Sequence, residues 1–152
     1  MKKNIKMLLL VSLTFMAACN NDDNNVPEEV PVTPGSAVFT KYIALGDSFA
    51  AGYSDNALFK KGQENSYPNI LAQQFVAAGG GAFAQPLMND NIGGLLLGGN
   101  VVAGTRLSFD GATQTPVNVA GKPTTEVTVH LTGSFNNLGV PGAKSFHLLA
   151  AN

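Results

Sequence analysis

The spacing of hydrophobic and polar positions predicts that the chain alternates between short strands and helices. The first informative run, residues 42–45 (Tyr-Ile-Ala-Leu), is apolar and ends at Gly46. A run of this length is typical of a buried strand in an α/β sheet, although periodicity alone leaves a helix as the alternative. Asp47 and Ser48 follow the glycine directly. We therefore predict a strand that ends at a glycine turn. It presents Ser48 at the edge where open α/β sheets bind ligands.

A helical period begins about twenty residues later. Ser66 is the expected N-cap, and Pro68 falls in the first turn, where proline is favoured. Residues at helical spacing are predicted to pack on the sheet: Ile70, Leu71, Gln74, Phe75 and Ala78. Three glycines at 79–81 end the helix. The polar stretch before it, residues 54–66, is expected to be a surface loop.

Residues 82–132 have the short period and the turn residues of a β-rich segment. Strands are predicted at residues 105–109, 115–119 and 126–131, with turns at Asp110-Gly111 and at residues 120–123. We predict a β-hairpin or a three-stranded meander inserted in an α/β domain. The insertion either lies over an active site or decorates the surface.

The first 36 residues differ from the rest. Three lysines precede an apolar run at residues 7–17, which is too short to span a bilayer and predicts a signal peptide. The run ends in Ala-Ala-Cys19, similar to a bacterial lipobox, so residues 1–19 are expected to be a lipoprotein signal with Cys19 lipidated. Ordinary cleavage after Ala18 is the alternative. Residues 20–36 are acidic and proline-spaced, which predicts a disordered tether.

Composition narrows the classes of function. The chain has 152 residues, a net charge of -1 and 12% charged residues. It therefore lacks the basic surface that nucleic-acid binding requires. One Cys and two His exclude an intrachain disulfide and argue against a Cys/His zinc site. We expect neither a metal nor an organic cofactor.

Residues 45–53, Leu-Gly-Asp-Ser-Phe-Ala-Ala-Gly-Tyr, resemble the first motif block of the SGNH, or GDSL, hydrolases. The resemblance implies a flavodoxin-like three-layer α/β fold. It also implies that Ser48 is the nucleophile and that its N–H binds the oxyanion. The segment is not the Gly-x-Ser-x-Gly elbow of α/β-hydrolases, because position 50 is Ala. The alternative is a tight strand–helix turn in which Asp47 and Ser48 only cap the helix.

Residues 135–143, Phe-Asn-Asn-Leu-Gly-Val-Pro-Gly-Ala, resemble the second block of the same family. They predict a strand, a Gly-Pro-Gly turn and a helix that begins at Lys144. The resemblance assigns to Gly142 a backbone N–H that binds the oxyanion. Acyl transfer requires such preorganised donors, and a glycine lets the substrate approach the backbone closely. The alternative is a β–α turn that needs glycine for its dihedral angles.

The remaining family motifs are not in this sequence. The Asn-Asp pair at 89–90 lacks the glycine of the family's Gly-x-Asn-Asp block and precedes Gly142. Neither His130 nor His147 has an Asp three positions earlier, as the family's Asp-x-x-His block has. A serine without a base is a poor nucleophile at neutral pH. We therefore expect residues 37–152 to be the amino-terminal part of a longer hydrolase. This chain alone is expected to be inactive.

The resemblance thus predicts a GDSL-type esterase or lipase, anchored through Cys19 to a membrane of a bacterial cell envelope, with the outer membrane or cell surface favoured. Its partners would be that membrane and an ester substrate, either a lipid or an acylated sugar. The alternative is a non-catalytic surface lipoprotein that binds glycan or protein through the β-rich segment.

Overall fold

A computed structural model describes residues 30–149, apart from the side chain of Leu148. The chain divides into Met1–Pro31 and Val32–Asn152, and the helices and strands described lie in the second unit. The predicted signal peptide, Cys19 and the first part of the tether lie outside the described residues. Residues 30–38 are exposed and form neither helix nor strand. Within 30–149, no helix has the length and apolar character needed to cross a membrane.

The described region is a mixed α/β structure with three two-stranded sheets, as the sequence predicts at the level of fold class. The strands are β1 (Ala44–Gly46), β2 (Leu95–Leu97), β3 (Asn100–Ala103), β4 (Leu107–Asp110), β5 (Thr115–Asn118) and β6 (Asn137–Gly139). The helices are α1 (Ser48–Ala51), α2 (Lys60–Glu64) and α3 (Tyr67–Val76), and a 3₁₀ helix covers Ser145–Leu149.

Strands β1 and β6 form a parallel pair, with Ala44 opposite Asn137 and Gly46 opposite Gly139. The Val140 N–H continues the ladder by donating to the Gly46 carbonyl at 3.0 Å. Parallel strands need a long crossover, and here residues 47–136 supply it. The two ends that carry the predicted motifs therefore lie side by side, although they are distant in sequence.

Helix α1 lies against the β1–β6 pair, and two glycines make this close approach possible. A Cβ at Gly46 would lie 2.7 Å from the Ala50 Cβ, and one at Gly139 would overlap the Ala51 backbone nitrogen. Ala50 and Ala51 are buried at this contact. Because side chains alternate along a strand, the opposite face carries Leu45, Leu138 and Val140, which are exposed.

Helix α3 begins directly after Ser66, as predicted, but Ser66 does not cap it through its side chain. Its hydroxyl lies 3.2 Å from Gln85 Oε1 instead. Pro68 and Ala72 form the buried stripe. The prediction that Ile70 and Leu71 pack in the core is wrong, because both are exposed. The helix contacts α1, and the larger side chains of Ile70 and Leu71 lie on its exposed side.

An aromatic cluster holds the start of β1 against the end of α3. The Phe75 ring stacks on Phe39 at 4.6 Å between centroids and meets Tyr42 edge-on at 5.1 Å. Phe83 stacks on the other side of Tyr42 at 5.2 Å. Burial and the neighbouring Tyr67 raise the pKa of Tyr42. These ring contacts hold Tyr42 in place two residues before β1 begins.

The expected surface loop at 54–66 is wrong in part. It contains helix α2, and Ala57, Phe59 and Gln63 are buried. The Gln63 amide donates to the Pro86 carbonyl at 2.9 Å and accepts the Met88 N–H at 2.6 Å. Both polar atoms of this buried amide are hydrogen-bonded, so Gln63 joins α2 to residues 86–88. The polar composition of residues 54–66 gave no indication that Gln63 would be buried.

Residues 95–118 form two antiparallel hairpins, β2–β3 and β4–β5. The predicted strands at 105–109 and 115–119 appear as β4 and β5, whereas the glycine-flanked β2–β3 hairpin was not predicted. The prediction of a strand at 126–131 is wrong, and so is the three-stranded meander that included it. Glu126 pairs with Leu96 only as an isolated bridge. The chain then turns, with the Val129 N–H donating to the Glu126 carbonyl at 3.2 Å. The Glu126 carboxylate accepts the Gly98 and Gly99 N–H groups at 3.1 and 2.9 Å.

Candidate functional site

Ser48 is the first residue of α1 and follows the end of β1 by two positions. Asp47 is the N-cap: its Oδ1 accepts the Phe49 N–H at 3.1 Å. The capping interpretation therefore holds for Asp47 and not for Ser48. An N–H at a helix start has no acceptor within the helix, so that of Ser48 can serve an external oxygen. Because α1 is a single turn, its dipole contributes little to stabilising negative charge near Ser48.

Gly142 lies in the turn that follows β6 and has a φ of +82°. Apart from its two chain neighbours, no atom of residues 30–149 lies within 4 Å of the position that its Cβ would occupy. The glycine is therefore needed for its backbone conformation, and its surroundings are open enough for a ligand to approach. The turn and binding interpretations are both consistent with this geometry.

A cleft of about 600 Å³ lies beside the paired ends of β1 and β6. Its wall consists of Leu45, Gly46, Asp47, Leu138, Val140, Pro141, Gly142, Ala143, Lys144, Ser145 and His147. Gly142 thus lines the cleft. Ser48 is half-buried and is not a lining residue, so the cleft reaches the first motif through its neighbour Asp47.

Asn137 holds two elements of the site together, and this role was not predicted from the sequence. It is 3% exposed, and its amide nitrogen donates to the Ala50 carbonyl at 2.7 Å and to Gln85 Oε1 at 3.0 Å. Its oxygen accepts the Gly139 N–H at 3.0 Å. The asparagine therefore ties β6 directly to the helix that carries Ser48. A polar residue within a predicted strand was the available signal, because such a group must find partners if it becomes buried.

The two histidines are not joined to Ser48 by any hydrogen bond of the described residues. His147 lies in the 3₁₀ helix and lines the cleft. Its Nδ1 accepts the Lys144 N–H at 3.1 Å, so its neutral form carries the proton on Nε2 and is a donor there. His130 is exposed beyond the turn that follows Glu126. Within residues 30–149, no group of three His, Cys, Asp or Glu side chains is placed to hold a metal.

Comparison with protein-family models gives no match, and comparisons with curated proteins and with solved structures give none either. The resemblance to the GDSL hydrolases therefore depends on the two motif segments. The geometry adds one relation that the sequence alone could not provide: the segments follow strands that are hydrogen-bonded neighbours.

Proposed function

We propose that this chain is part of an SGNH-type serine hydrolase that cleaves ester bonds, with a flavodoxin-like sheet that continues the β1–β6 pair. The observation that carries the proposal is the parallel register that sets Gly46 opposite Gly139. It brings the Gly-Asp-Ser turn and the Gly142 turn to one edge, where ligands bind in open α/β sheets.

The proposed reaction has two steps. The Ser48 hydroxyl oxygen bonds to the ester carbonyl carbon, a base takes the hydroxyl proton, and the alcohol leaves with that proton. Water then attacks the acyl-serine, releases the carboxylic acid and restores the hydroxyl. The N–H groups of Ser48 and Gly142 hold the negative oxygen of each tetrahedral intermediate.

The base and its orienting acid are proposed to come from outside the described residues. His147 is an unsuitable base, because its Nδ1 is already bonded to the Lys144 N–H. We also propose that lipidation of Cys19 anchors the enzyme to a membrane of the cell envelope. Both points are proposals from the sequence motifs.

A second candidate function is a non-catalytic lipoprotein that binds a partner through the hairpins. The observation in its favour is Phe109 on β4, which is 70% exposed. An exposed aromatic ring is a common anchor for a protein or sugar ligand. In this alternative Ser48 has no chemical role.

The test uses the protein isolated from its own source, so that everything the gene encodes is present. Hydrolysis of p-nitrophenyl esters would be compared between the wild type, Ser48→Ala and the control Ser54→Ala, and a fluorophosphonate adduct would be located by peptide mass spectrometry. We expect the adduct on Ser48 and a loss of roughly 10³-fold or more in kcat for Ser48→Ala only. Hydrolysis unchanged in Ser48→Ala, or a wild type that neither hydrolyses nor labels, would reject the proposal.

A further inference from the structure

We propose that Asn137 is a positioning residue for the oxyanion donors, because its side-chain amide is bonded to both of the segments that carry them. The kinetic consequences of this role rest on the proposed function. The effect of Asn137 on the placement of Ser48 is measurable without any hydrolysis.

The Asn137 amide joins the two segments directly. Its nitrogen donates to the Ala50 carbonyl at 2.7 Å, two residues after Ser48. Its oxygen accepts the Gly139 N–H at 3.0 Å, three residues before Gly142. Asn137 is buried, so water does not compete for these bonds. A shift of one segment relative to the other would therefore break a buried hydrogen bond.

Helix α1 needs an external partner of this kind. It has four residues, and a single helical turn is marginally stable without outside contacts. The carbonyls of residues 47–49 accept N–H groups from residues 51–53, whereas the Ala50 carbonyl accepts the Asn137 amide. This bond holds the carboxyl-terminal end of α1 against β6. Because α1 is so short, its end cannot move without moving Ser48.

Gln85 determines which way the Asn137 amide points. The Gln85 Oε1 atom lies 3.0 Å from the Asn137 amide nitrogen, accepts its second N–H, and also accepts the Ser66 hydroxyl at 3.2 Å. The Asn137 nitrogen therefore faces two acceptors, and its oxygen faces a donor. A flipped amide would place its oxygen against both acceptors and its nitrogen against the Gly139 N–H. These four side-chain and backbone groups thus have one hydrogen-bonded arrangement, as preorganised donors require.

Oxyanion donors act over a narrow range of distances. A donor stabilises the negative oxygen when it lies roughly 2.7–3.1 Å away, and a misplacement of about 1 Å can lower the rate on the order of 100-fold. The N–H groups of Ser48 and Gly142 must meet the same oxygen. Asn137 would act on the reaction only through Ala50 and Gly139, by holding these two donors in register.

The neighbouring Asn136 provides a matched control. Its side-chain oxygen accepts the Ala84 N–H, and its side-chain nitrogen donates to the Tyr42 carbonyl, each at 2.9 Å. Within residues 30–149, no hydrogen bond joins the Asn136 side chain to α1. Asn136→Ala therefore removes the same amide from the same segment, and it leaves the link to Ser48 intact.

The kinetic test compares Asn137→Ala with Asn136→Ala in the full protein from its own source, with folding checked by circular dichroism. For p-nitrophenyl esters we expect kcat to fall roughly 10- to 100-fold in Asn137→Ala while KM stays within about twofold, because only the transition state loses its donors. Asn136→Ala should keep kcat within about threefold of the wild type. Equal falls in the two variants, or an unchanged kcat in Asn137→Ala, would overturn the inference.

Asn137→Asp adds a pH signature that a merely structural role would not produce. The introduced carboxylate could still accept the Gly139 N–H, but it would face the Ala50 carbonyl and Gln85 Oε1 with an acceptor. Burial and these two oxygens would raise the pKa of the introduced carboxyl above the ordinary range of Asp. None of the groups that bond the Asn137 side chain within residues 30–149 is itself titratable.

The protonated carboxyl of Asn137→Asp can donate to the Ala50 carbonyl and so restore the link to α1. The ratio of its kcat to the wild-type kcat should therefore rise at least about threefold from about pH 8 to about pH 5.5. This measurement also decides the matter if Asn137→Ala does not fold. A ratio that is independent of pH would contradict the inference.

Failure of this inference is distinguishable from failure of the proposed function by NMR. The Ser48 amide resonance should move in Asn137→Ala and keep its position in Asn136→Ala. If it does so while hydrolysis is unaffected by Ser48→Ala, the proposed function fails and the placement of α1 by Asn137 stands. If hydrolysis depends on Ser48 but neither kcat nor the Ser48 resonance responds to Asn137→Ala, the inference alone fails.

Discussion

The two regions of the described chain are held together by different interactions. The α/β region, formed by β1, α1, α3 and β6, depends on close packing of alanines and glycines and on the buried amide of Asn137. The hairpin region, β2 to β5, depends on carboxylates that bind backbone N–H groups. Asp90 and Glu126 are the main examples. The motif residues lie in the first region.

Asp90 joins segments that are far apart in sequence. Its Oδ1 accepts the N–H groups of Ile92 and Gly93 at 2.8 and 3.0 Å, and its Oδ2 accepts the N–H of Thr124 at 2.8 Å. The Asp90 carbonyl accepts the Lys60 N–H at 2.9 Å. The Asp90 side chain thus joins residues 92–93 to Thr124, and its backbone carbonyl joins the same segment to the first residue of α2. Acid should therefore loosen the hairpin region before the α/β region.

The largest predicted effect tests the close packing of α1 against β6. Gly139→Ala would push a Cβ into the Ala51 nitrogen and to 2.6 Å from the Ala50 carbonyl carbon. We expect a loss of about 3 kcal/mol or more in the free energy of unfolding, measured by urea titration with circular dichroism. Gly142→Ala is the control. Its Cβ would contact no atom of the described residues beyond its two neighbours, so only the positive φ lowers the free energy of unfolding, by about 1–2 kcal/mol. Equal losses in the two variants would contradict the packing account.

The next prediction concerns Asn137. Replacement by Ala leaves the Ala50 carbonyl and the Gly139 N–H without their partner. We expect a loss of about 2–3 kcal/mol in the free energy of unfolding. Asn100→Ala, on an exposed hairpin, should cost less than about 0.5 kcal/mol. Similar values for the two variants would mean that the amide does not tie β6 to α1.

Asp90→Asn tests the hairpin region. Burial raises the pKa of Asp90, but hydrogen bonds from Thr124, Gly93 and Ile92 outweigh it and lower the pKa below its ordinary 3.8. Its contribution to stability is therefore complete above pH 3.8 and is lost as the pH falls through the lowered value. We expect the variant to lose about 1 kcal/mol at neutral pH, after allowance for solvent screening. Its stability should also fall less steeply below pH 4. An unchanged acid profile would contradict this.

The smallest predicted effect is local. Hydrogen bonds from the Gly99 and Gly98 N–H groups lower the pKa of Glu126, so the carboxylate holds the β2–β3 turn above its ordinary pKa of 4.5 and releases it in acid. Glu126→Gln should speed hydrogen exchange at the Gly98 and Gly99 amides while the Ala44 amide in β1 keeps its rate. Faster exchange at Ala44 as well would mean that the two regions are not independent.

A strand and turn near Ser48 were predictable because a short apolar run that ends in glycine is a local signal. Strands β4 and β5 were predictable for the same reason. The predicted burial of β1 is wrong, because the strand covers Ala44–Gly46 and Leu45 is 59% exposed. Asn137 was not recognised, because its role exists only after β6 pairs with β1 across more than ninety positions. Local periodicity contains no information about such a pairing.

The wrong predictions share one cause, which is that tertiary partners override local pattern. Residues 126–131 alternate as a strand should, yet the Glu126 side chain binds a neighbouring turn and the ladder does not form. Ile70 and Leu71 fall at helical spacing. The buried positions of α3 are instead Pro68 and Ala72.

The parallel pairing of β1 and β6 brings the Ser48 and Gly142 turns together, and the proposed site depends on it. The most direct test is NMR of the protein, with NOEs between backbone protons of residues 44–46 and 137–139. We expect the parallel pattern with Leu45 opposite Leu138, and slow exchange of the Ala44 and Val140 amides. Absent interstrand NOEs, or an antiparallel pattern, would contradict it, because the two motifs would then have no common edge.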